Sequence, residues 1–162
     1  LLWKGRKSAF GAIARIKPNY YLHDTVVPRG KLTEVLREVY RIVERHQLLV
    51  MNVFHAGDGN LHPILVFDRR EPGVMDRVHA AGEDIVRVSV AAGGVLSGEH
   101  GIGLEKRDYM CLLFSEADLE PMRWLHDAFD PEDRCNPGKQ IPAPRACAES
   151  NPRHRGYPQV SF

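Results

Sequence analysis

The segment His55 to His62, HAGDGNLH, holds two imidazoles, the Asp58 carboxylate and the Asn60 carboxamide, and a second polar pair, Glu99-His100, sits in the glycine-rich run SGEHGIG. Imidazole nitrogen and carboxylate oxygen are donors for first-row divalent ions. Two histidines with one carboxylate suit zinc, manganese or iron and leave positions open to water or substrate. His55 and His62 flank one tight turn, so adjacent strands can aim both rings at a shared point, and a carboxylate could complete the set. A plainer account uses the same residues: strand histidines satisfied by neighbouring backbone, with Asp58 and Asn60 merely fitting the turn. His100 could act as a general base, because an imidazole titrates near working pH, or it could be a hydrogen-bonded loop histidine. Arg6 has a forked guanidinium suited to gripping a carboxylate, although most arginines are simply solvated. Gly98, Gly101 and Gly103 could cradle a phosphate, but the order of a dinucleotide fingerprint is missing. Their expected role is to turn the backbone so that Glu99 and His100 project into a site.

These residues need elements to position them. Leu2, Trp3, Phe10 and Ile13 can share one side of a short helix that ends before Pro18. Tyr20 to Val27 reads as a strand closed by Pro28-Arg29-Gly30. Leu32, Val35, Leu36, Val39, Ile42 and Val43 recur at three- and four-residue steps, which predicts an amphipathic helix from Lys31 to Leu48 lying on a sheet. LLVMNVFHA and LHPILVFD, joined by GDGN, predict a hairpin. Val74, Val78, Ala81, Ile85 and Val88 predict a second helix over Pro72 to Ala92, stopped by Gly93-Gly94. A short strand-like Val95-Leu96 then precedes the loop Ser97 to Gly103, which enters a helix near Leu104. Ser115 can cap a helix over Glu116 to Phe129, with Met122, Leu125 and Phe129 as its buried side. Asn136-Pro137-Gly138-Lys139 reads as a turn, and Ala143 to Phe162 as an extended arm. The class is α+β, an antiparallel sheet with helices packed on one face, followed by C-terminal helices and an extended tail.

Composition narrows the function classes. At 162 residues with 43% hydrophobic and 27% charged content, the chain is an ordinary globular domain rather than a disordered or disulfide-scaffold sequence. Twenty-two basic against 21 acidic residues leave a net charge of +1, too little to hold a nucleic-acid backbone or an anionic membrane. No apolar stretch approaches the 18 or so residues of a membrane span, so no direct membrane insertion is expected. Cys111, Cys135 and Cys147 are odd in number and form no CxxC pair, which spells neither a disulfide framework nor a thiolate zinc site and fits a reducing cytoplasm. The sequence opens on Leu1 with a helical pattern already under way, as expected of a piece of a longer chain.

Taken in order, HAGDGNLHP at His55 to Pro63, GGVLSGEHGIGLEK at Gly93 to Lys106 and FDPEDRCNPGKQIP at Phe129 to Pro142 resemble the C-terminal part of the FAD-linked oxidases of the vanillyl-alcohol oxidase type. LLWKGRKSAFGAIARIKPNYY and DTVVPR extend the resemblance, which is nearest to the glycolate oxidase group of that family and runs to about Ala148. The resemblance implies a ferredoxin-like substrate domain over residues 1–142, with 143–162 as a tail. It implies oxidation of a small 2-hydroxy acid, with FAD held mainly by a domain that would precede this region. It further implies a divalent metal, zinc or manganese, on His55, His62 and Glu99, with His100 as the base and Arg6 on the substrate carboxylate. Members specific for 2-hydroxyglutarate are expected to carry an asparagine two residues after the second ligand histidine. Here Pro63-Ile64 follows His62, which favours glycolate or D-lactate over a long diacid. Companion subunits, one of them iron-sulfur, would pass electrons toward membrane quinones and could hold the protein at the inner membrane. Self-association of the isolated chain is expected from apolar surface left at its ends. A metal-stabilised module without catalysis is the competing reading, and a zinc hydrolase is a weaker third.

Overall fold

Three apolar β-rich runs and two strong helical stripes build a sheet covered on one face. The structure, a computed structural model, describes residues 2–144, with the side chains of Leu2, Arg6, Lys7, Ala9 and Phe10 outside that description. Helix α1 (Leu2–Ile13) leads into strands β1 (Asn19–Leu22) and β2 (Thr25–Val26). Helix α2 (Leu32–Arg45), the hairpin β3 (Leu49–His55) and β4 (Asn60–Phe67), and helix α3 (Val74–Ala91) follow. Then come a short helix α4 (Gly103–Lys106), a 3-10 segment (Arg107–Leu112) and helix α5 (Glu116–Phe129).

All pairings are antiparallel. Central β4 pairs with β3 on one side and with β1 and β2 on the other, and Val95 bridges to Val26 beyond β2. This is the β-α-β-β-α-β order of a ferredoxin-like fold, with its last strand reduced to the Val95 bridge. The single strand expected over Tyr20 to Val27 is split. Its register runs unbroken from Leu22↔Ile64 to Thr25↔Leu61, but the ladder lapses at His23-Asp24. Pro63 is the cause. The His23 N–H donates to the Pro63 carbonyl at 2.9 Å, and proline has no N–H to return to the His23 carbonyl.

Helices α2 and α3 bury Val35, Val39, Ile42, Val78, Ala81 and Ile85 against Leu61, Leu65 and Phe67 of β4. Strand alternation therefore puts His62, Ile64 and Val66 on the opposite face. A second cluster, Val86, Leu96, Met110 and Leu119, fixes the end of α3 to the segments after it.

Helices α2 and α3 end alike. Gly94 N–H reaches the Ser89 carbonyl and Gly93 N–H the Val90 carbonyl, both at 2.9 Å, with Gly93 left-handed at φ +86°. At the end of α2, Leu48 bonds to Val43 and Gln47 to Glu44, both at 3.0 Å, and Gln47 holds the left-handed position at φ +54° without being glycine. That is why α2 stops before the predicted Leu48. A Cβ on Gly94 would lie 2.1 Å from the Val26 carbonyl oxygen, so glycine there lets the chain press onto β2 and deliver the Ser97 to Gly103 loop beside it.

Several expectations change. Helix α5 spans the predicted residues, and its Ser115 hydroxyl donates to the Asp118 carboxylate at 2.6 Å. Its buried residue is Leu119, whereas Leu125 and Phe129 are 62% and 85% exposed. Of the expected buried side, Met122 packs against the second cluster, and Leu125 and Phe129 do not. Trp3 is likewise exposed, and α1 buries Ile13 at its end. Cys111 is disulfide-bonded, against the reduced thiols that count and spacing predicted, and Cys135 is free and exposed. The turn at Asn136 to Lys139 is present, with Lys139 N–H on the Asn136 carbonyl at 3.1 Å. The predicted arm lies outside the described residues from 145 onward. No helix among the described residues is long and apolar enough to cross a membrane.

Candidate functional site

The β3–β4 hairpin places His55 at the end of one strand opposite Asn60, and His62 two residues further along the other, opposite Val53. Both histidines thus rise from the face that α2 and α3 leave uncovered. The glycine-rich loop lays Glu99 across them: its Oε1 is 2.8 Å from His62 Nε2 and 3.8 Å from His55 Nε2. Ligand atoms of all three residues lie within 4.8 Å of one another. Two donors about 2.1 Å from one ion are at most about 4.2 Å apart, a limit that both distances from Glu99 already meet.

The buried His62 shows why a cation fits. Its Nδ1 lies 3.3 Å from the His23 carbonyl, the group that Pro63 released from the ladder, and a carbonyl can only accept. Nδ1 therefore carries the proton, and in neutral His62 the Nε2 lone pair then points at a carboxylate oxygen 2.8 Å away. Two lone pairs so placed repel unless a second proton or a cation stands between them. The carbonyl also fixes tautomer and ring angle, as outer partners of metal-binding histidines do. His100 stacks on His62 with centroids 5.0 Å apart and planes at 17°, and it remains half exposed on the open side. The constellation offers two imidazoles and one carboxylate, with a third, half-exposed imidazole beside them.

Not every residue singled out from the sequence joins it. His55, His62, Glu99 and His100 converge. Asp58 sits at the exposed hairpin tip, where its N–H bonds the His55 carbonyl at 3.0 Å and serves the turn alone. Asn60 is buried beneath Gly98, and a Cβ at Gly98 would lie 2.6 Å from its carboxamide nitrogen. Arg6 is on α1, with its side chain outside the described residues. The N–H groups of Gly98, Glu99 and His100 do surround an anion, and that anion is the Asp24 carboxylate, at 3.0, 3.1 and 2.9 Å from its Oδ2.

Asp24 is the residue that sequence reasoning missed: it heads the DTVVPR segment, but nothing near it in sequence assigns its carboxylate a role. It is fully buried and also accepts from the Ser97 hydroxyl at 2.6 Å. Burial alone would raise its carboxyl, but the hydrogen bonds from Ser97 and the three loop amides hold it well below the usual carboxylate range. Lys106, buried on α4, donates to the Asp24 carbonyl and lies 3.8 Å from its carboxylate. Next to it, the His23 ring turns to the helix-covered side and lines a cavity of about 350 Å3 with Tyr21, His79, Gly82 and Tyr109. Neither of its ring nitrogens has a protein partner. Burial, reinforced by Lys106 and His79, pushes its pKa down to about 4, so the ring is neutral.

The comparisons give the class to which this α+β fold belongs. Residues 1–140 match the family described as FAD linked oxidases, C-terminal domain, and the chain belongs to it. Among its relatives are glycolate oxidase subunit GlcD of Escherichia coli strain K12, 44% identical over 99% of this chain, and GlcD of Bacillus subtilis, 36% identical over 86%. A probable mitochondrial D-lactate dehydrogenase of Danio rerio is 33% identical over 86%. The chain spans 32%, 30% and 29% of the length of these three curated relatives.

Proposed function

We propose that this chain is the substrate- and metal-binding part of an FAD-dependent oxidoreductase that converts glycolate or D-lactate to the 2-oxo acid. The observation that carries the reading is the convergence of His55, His62 and Glu99 beside a half-exposed His100 on the face of the sheet opposite α2 and α3. Three protein donors with an open side suit a catalytic ion, whereas a structural ion is usually closed by four, which disfavours the non-catalytic module. A bound divalent ion would polarise the substrate hydroxyl and carboxylate oxygens, and FAD would take the hydride from the α-carbon.

The chain's own residues do the rest. His100 would accept the hydroxyl proton on a ring nitrogen, and its stacking on His62 holds that ring beside the three donors. Arg6 would hold the substrate carboxylate through two hydrogen bonds, a role that rests on the family resemblance. FAD-binding residues are not assigned to this chain. The similarity to glycolate oxidase subunits supports companion subunits; an iron-sulfur partner and a cytoplasmic place at the inner membrane rest on the family resemblance alone. Exposed Trp124, Leu125 and Phe129 support self-association of the chain when it is alone.

Two measurements test this reading. The visible spectrum of the cobalt-loaded chain should shift when glycolate or D-lactate is added, and no shift would return the site to a structural role. In the FAD-containing protein that carries this chain, His100→Ala should lower turnover by about 10²- to 10⁴-fold. Unchanged turnover would remove His100 from the chemistry.

A further inference from the structure

We propose that Asp24, backed by Lys106, is a positioning residue that builds the site before any ion or substrate arrives. This rests on the metal-site reading above and deepens it. Four donors from one loop converge on the Asp24 carboxylate: the Ser97 hydroxyl and the amides of Gly98, Glu99 and His100. Three consecutive N–H groups aimed at one point fix the backbone of those residues, and with it the directions in which the Glu99 and His100 side chains leave the chain. The Ser97 oxygen, while donating to Asp24, also accepts the Gly101 N–H at 2.8 Å, which closes the loop upon itself.

The loop is held at both ends as well. Before it, Val95 N–H donates to the Val26 carbonyl at 2.8 Å; after it, Lys106 on α4 donates to the Asp24 carbonyl. The neighbouring residue completes the device, since the His23 carbonyl takes the His62 Nδ1 proton. One dipeptide, freed from the strand ladder by Pro63, thus orients a histidine donor through its backbone and the glutamate donor through its side chain. A buried carboxylate is costly unless it is paired and fully hydrogen-bonded, and here Lys106 and the four donors meet that requirement. An asparagine of the same shape would turn an NH2 group toward some of these donors and lose the charge that gathers them.

The test uses the whole chain and two readouts. Without metal, amide hydrogen exchange at Gly98, Glu99 and His100 should be slow in the wild type. It should be at least about tenfold faster in Asp24→Asn, with β3 and β4 unchanged. Equilibrium dialysis against zinc or manganese should show affinity falling about 10- to 100-fold, the usual loss when an outer partner of a metal site is removed. Wild-type exchange and affinity in Asp24→Asn would overturn the proposal. Should that variant fail to fold, Ser97→Ala removes a single donor, and unchanged loop exchange in it would overturn the proposal equally. If the wild type binds no ion, the metal reading fails by itself, and loop exchange alone decides whether Asp24 positions the loop.

Discussion

The His23 imidazole offers a quantitative check on the interior of this domain. Its pKa falls from an ordinary 6.5 to about 4, first through burial and then through Lys106 and His79. Between those values the unfolded chain binds a proton that the native state does not. Stability is therefore complete above pH 6.5 and is lost as pH falls toward 4. A displacement of 2.5 pH units at 1.36 kcal/mol each gives about 3 kcal/mol lost by pH 4, a large part of a small domain's total. Asp24 has the same sign, but its contribution fades only below the ordinary carboxylate value of 3.8, outside this window. The assay is urea unfolding from pH 7.5 to 4.5 with a chelator present, comparing wild type with His23→Phe. The wild type should lose stability more steeply on acidification. Parallel curves, or a His23 ring proton that titrates near 6.5 by NMR, would refute the reasoning.

Three further outcomes follow from the packing. Ile85, fully buried between α3 and the sheet, should cost about 2–5 kcal/mol on Ile85→Ala, read by the same unfolding assay. Gln47→Gly should raise stability by about 1 kcal/mol, because it relieves a left-handed non-glycine residue at the end of α2; a loss would contradict the strain assigned there. Gly98→Ala puts a Cβ 2.6–2.7 Å from the Asn60 carboxamide and the Val26 Cγ2, so it should destabilise by about 1–3 kcal/mol and weaken metal binding together. Intact metal affinity in that variant would show that the loop can shift without disturbing Glu99.

Much of this was legible in the sequence because periodicity reports burial. The stripes of α2 and α3, the hairpin around GDGN and the α5 boundaries appear where spacing and turn residues put them. His55, His62, Glu99 and His100 were legible as chemistry because their residue types are scarce outside sites and they cluster about tight turns. What was hidden depends on contacts distant along the chain. Asp24 looks like an interruption in a strand until Pro63, opposite the preceding His23 in register, is seen to open the ladder there and until the loop 73 residues or more away brings its donors to it. The exposure of Leu125 and Phe129 was hidden for a related reason: helical spacing identifies an apolar side, and only the surrounding structure says whether anything lies against it. The bridge at Cys111 belongs with these, since no spacing rule announces it.

The central claim, a divalent ion held by His55, His62 and Glu99, is tested most directly by elemental mass spectrometry of the purified chain beside His62→Ala, each incubated with zinc or manganese and then dialysed. The account predicts about one ion per wild-type chain and its loss in the variant. An ion-free wild type, or equal metal content in both proteins, would contradict it.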